Sequence, residues 1–154
     1  VSSITACNTT AKMAPQTVDT YAVGEKDQAT AIEKYGVYEW CRRTLQYRVD
    51  ISKIPPALGE WWARDMDRTP RHVAAAVFRL FSTVDLWPRL AGIQAPVLLI
   101  VGDNCPEIRK QQLADMAKAL PRSKLVSLEG YDYGIHFLAP ERCVRAGREF
   151  LASK

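Results

Sequence analysis

Five consecutive apolar residues, Val97-Leu98-Leu99-Ile100-Val101, stand between Pro96 and Gly102. A short run with no polar alternation marks a strand buried on both faces of a parallel sheet, and this constrains the rest of the chain. Pro106 fits the first turn of the helix that follows, where its missing N–H costs nothing. Leu113, Met116, Ala117 and Leu120 then recur at i, i+3, i+4 and i+7, which gives one apolar helix face. Pro121 ends that helix, and Leu125 to Leu128 reads as a second short strand. His136 follows on a loop, and Pro140 opens a final helix with Val144, Gly147 and Leu151 on one face. Strand, helix, strand, helix in this order predicts right-handed parallel crossovers and an α/β fold.

Upstream, Ser2 to Asn8 is rich in small and β-branched residues and reads as a further strand. Thr9 to Thr20, with Pro15, reads as a loop. From Glu25 to about Asp85 the pattern is mostly helical. Ile32, Tyr35, Val37, Trp40, Cys41 and Leu45 keep helical spacing, broken at Gly36. Pro55-Pro56 forces a break, after which Leu58, Trp61, Trp62, Ala63 and Met66 make a second amphipathic helix. Thr69-Pro70 signals a third start, with Thr as N-cap and Pro at the first helical position. That helix carries Val73, Val77, Leu80, Phe81 and Val84 on one stripe, and Asp85 to Ile93 returns the chain to the sheet. The expected organisation is a core strand at 1–10, a helical segment at 11–90 and a second core segment at 91–154.

Composition removes several classes of function. The 21 basic and 17 acidic residues leave a net charge of +4, with no Lys/Arg run or basic-aromatic stripe, so nucleic acid is not an expected partner. No apolar stretch approaches the ~20 residues of a membrane helix. Cysteines 7, 41, 105 and 143 show no metal-type spacing, and no secretory segment precedes them. Reduced thiols and a cytoplasmic location are expected, with no metal and no cofactor.

The core residues resemble the carboxyl-terminal half of α/β-hydrolases of the enol-lactone and carboxylester hydrolase type. The likeness rests on Ala95-Pro96-Val97-Leu98-Leu99-Ile100-Val101-Gly102-Asp103, on Lys124 to Gly130, and on Gly134-Ile135-His136-Phe137-Leu138-Ala139-Pro140-Glu141. It implies parallel core strands flanked by helices, with the helices between the first two strands serving as an inserted cap. His136 matches the triad histidine. Counting from Gly102, the acid's usual place is occupied by Cys105.

Other parts of the family pattern are absent. No Gly-x-Ser-x-Gly elbow occurs, and serines 2, 3, 52, 82, 123, 127 and 153 lie on no such turn. The oxyanion-hole loop is missing too. Three parallel strands with a first strand of small residues leave an open edge, and such a core should not stand alone. An amino-terminal half of roughly a hundred residues or more is therefore expected on a partner chain. The chain opens with Val1 rather than Met, which fits a separate subunit or a precursor cut just before Ser2.

The resemblance gives His136 the role of general base toward the partner's nucleophile. Asp103 is the first candidate for the acid if the loop before Pro106 is shortened. Glu107 and Asp132 are further candidates, as is a site with no acid in this chain. Cys105 could serve there only as a thiolate, against its free pKa of ~8.5. Pairing Cys105 with His136 as a nucleophile is set against by the family geometry, which puts this loop on the far side of the His. Trp40, Trp61 and Trp62 are candidates for a substrate pocket under the cap or for packing between its helices. His72, Arg42, Arg43 and Arg64 read as solvated surface. The implied function is half of an enzyme hydrolysing a small ester, lactone or related carbonyl compound. The alternatives are a lyase, isomerase or cyclase-like enzyme with His136 as lone base, and an inactive ligand-binding relative.

Overall fold

The computed structural model describes residues 2–153. In chain order the elements are β1 (Ile4–Cys7), α1 (Pro15–Ala22), α2 (Gln28–Tyr35), α3 (Val37–Thr44), α4 (Pro56–Asp67) and α5 (Arg71–Thr83). After these come β2 (Val97–Gly102), α6 (Glu107–Ala119), β3 (Ser123–Leu128), α7 (Ile135–Leu138) and α8 (Pro140–Ala152). Two compact units result, one from residues 2–11 and 86–153 and the other from Lys12–Asp85. The helical segment expected at 11–90 compares with this second unit.

In the first unit the strands form a parallel sheet in the order β1-β2-β3, with Ile4 beside Val97 and Val97 beside Ser123. Every residue of β2 is buried, which accounts for its unbroken apolar run. Val97, Leu99 and Val101 pack with Leu113, Met116 and Leu120 from the α6 segment. The alternate residues Leu98 and Ile100 pack with Ile135, Ala139, Ala146 and Phe150 on the other face. Period-two alternation thus feeds two helical layers from one strand.

In the second unit Ala29, Ala31, Ile32, Val37, Trp40, Ala74 and Ala75 form the core, with Phe78 and Tyr21 packed against it. Asp27 caps α2 by accepting a hydrogen bond from Thr30 N–H at 2.7 Å. Gly36, at φ +83°, ends α2 and turns directly into α3, a conformation that favours glycine. Its N–H closes the last turn of α2 on Ile32 O.

Several expectations need correction. Residues 15–22 form α1 rather than loop, with Pro15 in the first turn where it is tolerated. Pro106 and Pro70 each stand just before their helices, at extended ψ, and Thr69 makes no cap. The helices begin one residue later, at Glu107 and Arg71. The stripe on α5 is real but faces outward: Leu80 is 58% exposed and Phe81 48%. Ala74 and Ala75 are the buried residues, because their small side chains let α2 approach closely. Likewise α8 buries Ala146 and Phe150, leaving Val144 and Leu151 exposed. His136 sits in the short helix α7 rather than on an irregular loop.

Candidate active site

Ligand sites in open parallel sheets lie beyond the carboxyl ends of the strands. There, three segments of the first unit meet: Asn8 after β1, Gly102 at the end of β2 with the turn to Cys105, and Tyr131 to Gly134 after β3. Asn8 holds them together. It adopts φ +47°, a left-handed conformation that Asn tolerates better than most residues. Its Nδ2 donates to Asp132 O at 3.1 Å, and its Oδ1 accepts from Gly102 N–H at 3.4 Å and from the Cys105 thiol at 3.9 Å.

Gly102 is required by this meeting. A Cβ there would lie 2.2 Å from Tyr131 O and 2.5 Å from Asp132 O, both backbone atoms. Asn104 N–H donates to the same Tyr131 O at 2.9 Å, so the segment after β3 is bound to the turn after β2.

Asp103 lies in that turn, and its Oδ1 accepts a hydrogen bond from Gly130 N–H at 2.8 Å. Its carboxylate stabilises the two turns against each other. Cys105 is buried, and its thiol pKa is pushed up to about 12, first by burial and then by Asp132 beside it. At neutral pH it is a thiol, neither an anionic acceptor nor a ready nucleophile. Asp132 Oδ1 is buried and has no hydrogen-bond partner among the described residues. Burial raises the pKa of Tyr133, with the Arg109 charge acting the other way.

His136 is exposed in α7, its ring centroid 4.3 Å from that of Phe137. Partial burial of the ring lowers its pKa below the ordinary histidine value. The imidazole is therefore neutral at pH 7, as a general base requires. Among the described residues no carboxylate is hydrogen-bonded to His136. The structure thus gathers Cys105, Asp103 and the loop leading to His136 at one end of the sheet, without joining Asp103 to His136.

The three tryptophans divide. Trp40 is buried in the helical unit, donates from Nε1 to Tyr21 O at 2.8 Å, and packs edge-on to Phe78 at 4.6 Å. The Arg48 guanidinium lies 4.5 Å from its ring centre. Trp40 is core. Trp61 is exposed and Trp62 half-buried. A cleft of about 640 Å³ in this unit is lined instead by Arg42, Arg43, Gln46 and Glu60 around Leu45 and Ile54. Among the described residues no group of three metal-ligating side chains gathers, and no helix is long and apolar enough to cross a membrane.

The roles of Asn8 and Gly102 were not anticipated. The signals available were an Asn closing a strand, where a left-handed turn is tolerated, and a Gly ending a buried one.

No family model and no curated protein matches the sequence. Solved structures do match in three dimensions. The chain aligns over 97% of its length with the enol-lactonase from Burkholderia xenovorans LB400, at 19% identity and TM-score 0.78, covering 56% of that chain. It aligns over 99% of its length with a malate-bound thermophilic esterase from Thermogutta terrifontis, at 20% identity and TM-score 0.76, covering 56% of that chain. MenH from S. aureus matches at 18% identity and TM-score 0.75, over 99% of this chain and 59% of that one. The chain spans little more than half the length of these structural neighbours. Its fold is that of the carboxyl-terminal half of an α/β-hydrolase.

Proposed function

We propose that this chain is half of an α/β-hydrolase-type enzyme that hydrolyses a small ester, lactone or related carbonyl substrate. It supplies the cap, formed by residues 12–85, and the base His136 to a site completed by an amino-terminal partner chain. The partner carries the nucleophile elbow and the oxyanion donors. Its Ser attacks the carbonyl carbon while His136 takes the hydroxyl proton, then delivers it to the leaving oxygen. Water repeats the cycle on the acyl intermediate. The observation that carries this reading is a fold match over 97% of the chain to 56% of an enol-lactonase, with His136 just beyond the last strand of the sheet.

Unpartnered surfaces support the partner half. Ile4 N–H bonds to Pro96 O and Asn8 N–H to Ile100 O. The alternation of a parallel ladder then turns the backbone groups of Thr5 and Cys7 to the outer edge of β1. The exposed apolar stripes on α5 and α8 favour burial against another surface. The malate bound to the Thermogutta terrifontis esterase makes carboxylate-bearing esters and lactones the first substrates to assay. Four free cysteines accord with a cytoplasmic setting.

The test is turnover of an ester and lactone panel by the chain together with its partner, before and after His136→Ala. Loss of turnover with the complex intact supports the reading. Unaltered turnover refutes it.

A further inference from the structure

Position 105 holds a thiol where the resembled family places its acid, yet a carboxylate stands beside it from another loop. We propose that Asp132 is the positioning residue for His136: the carboxylate has moved from the β2–α6 turn to the β3–α7 loop and kept its place beside position 105. This rests on the hydrolase reading of His136.

Five observations carry the assignment. Asp132 Oδ1 is buried and lacks a donor. The Cys105 thiol beside the carboxylate is a weak donor to it, so the buried Oδ1 keeps capacity for an N–H. The backbone beneath it is fixed, because Asn8 Nδ2 donates to Asp132 O at 3.1 Å and Gly102 leaves no room for movement toward β2. His136 lies four residues further on, in the first turn of α7, with Gly134 at φ +70° between them as the turning point. Its imidazole has no hydrogen-bond partner among the described residues. The competing carboxylate, Asp103, is already engaged by Gly130 N–H.

The chemistry follows from those positions. His136 Nδ1–H donates to Asp132 Oδ1, which leaves Nε2 as the acceptor for the nucleophile's proton. Catalytic hydrogen bonds of this kind often close only in the assembled complex. The groups around Asp132 are Cys105 from the β2–α6 turn, Tyr133 from its own loop, and the neutral Asn8 from β1. The Arg109 cation acts on Cys105 and Tyr133, and its Nη1 donates to Thr9 O at 3.4 Å.

The test uses the full chain with whatever partner co-purifies, and reads the His136 ring by NMR titration, with His72→Gln to assign the second histidine. Asp132→Asn is expected to make the imidazolium about tenfold harder to form, a downward shift of about one pKa unit, while Asp103→Asn leaves it unchanged. In turnover, Asp132→Asn should lower kcat by at least about a hundredfold with little change in KM. Adding Cys105→Asp to that variant should restore a large part, since it returns a carboxylate to the same place from the other loop. An unchanged His136 titration in Asp132→Asn overturns the assignment. So does a shift caused by Asp103→Asn instead, or a loss that Cys105→Asp does not recover. Full turnover in Asp132→Asn would sink Asp132 and leave hydrolysis standing. A wild-type protein without turnover would sink hydrolysis and leave the titration to decide the pairing.

Discussion

Gly102→Ala tests whether the segment after β3 is clamped onto the end of β2. The added Cβ would meet Tyr131 O at 2.2 Å and Asp132 O at 2.5 Å, far inside van der Waals contact. Neither oxygen can retreat freely. Tyr131 O accepts from Asn104 N–H at 2.9 Å, and Asp132 O from Asn8 Nδ2 at 3.1 Å. Relief of the clash has to break or stretch both bonds, at about 1 kcal/mol each. Residual overpacking adds about 1–3 kcal/mol. The expected destabilisation is about 3–5 kcal/mol, read from the urea midpoint at an unchanged m-value. Gly147→Ala is the control, because its Cβ meets nothing within 4 Å. In mid-helix it should stabilise by about 0.5–1 kcal/mol. A Gly102→Ala protein within about 0.5 kcal/mol of wild type would refute the clamp, and with it the fixed position assigned to Asp132.

Three further outcomes are expected. Cys105 is buried with its thiol pKa pushed up to about 12. It should resist iodoacetamide at pH 8, and Cys105→Ala should leave turnover nearly unchanged; rapid alkylation would contradict this. His136 titrates below the ordinary histidine value because its ring is partly buried. The folded form therefore binds its proton less readily than the unfolded chain. In the chain without its partner the imidazole should lose its free base as pH falls through that lowered pKa, so an NMR titration of the isolated chain centred above pH 6.5 would show the sign is wrong. Trp40→Ala empties the centre of the helical unit and removes its bond to Tyr21 O. It should cost about 3–5 kcal/mol, whereas Trp61→Ala at the surface should stay within about 0.5 kcal/mol by denaturant unfolding.

The strand Val97 to Gly102 was legible because burial on both faces leaves a composition that a surface strand cannot carry. The α6 face was legible too, since Leu113 and Met116 do pack on that strand. The stripes on α5 and α8 were misread for one reason. Periodicity shows that a helix has an apolar face, but small residues such as Ala74, Ala75 and Ala146 can be the side that packs. A segment whose larger apolar side chains are left outside defeats the usual inference from pattern to core.

At the site, the place of His136 just after β3 could be read from its neighbours in sequence. The pairing of Asp132 with Cys105 could not, because it depends on how the segment after β3 folds back over Gly102. That contact is made by backbone atoms and leaves no side-chain pattern. Asn8 carries the same lesson, since its three bonds reach residues more than ninety positions away.

The most direct test of the composite site is native mass spectrometry of the protein purified from its source, followed by sequencing of whatever accompanies it. The account predicts this chain in complex with a second polypeptide that carries a Gly-x-Ser-x-Gly elbow. A folded 17.3 kDa monomer, alone and complete in its activity, would contradict it.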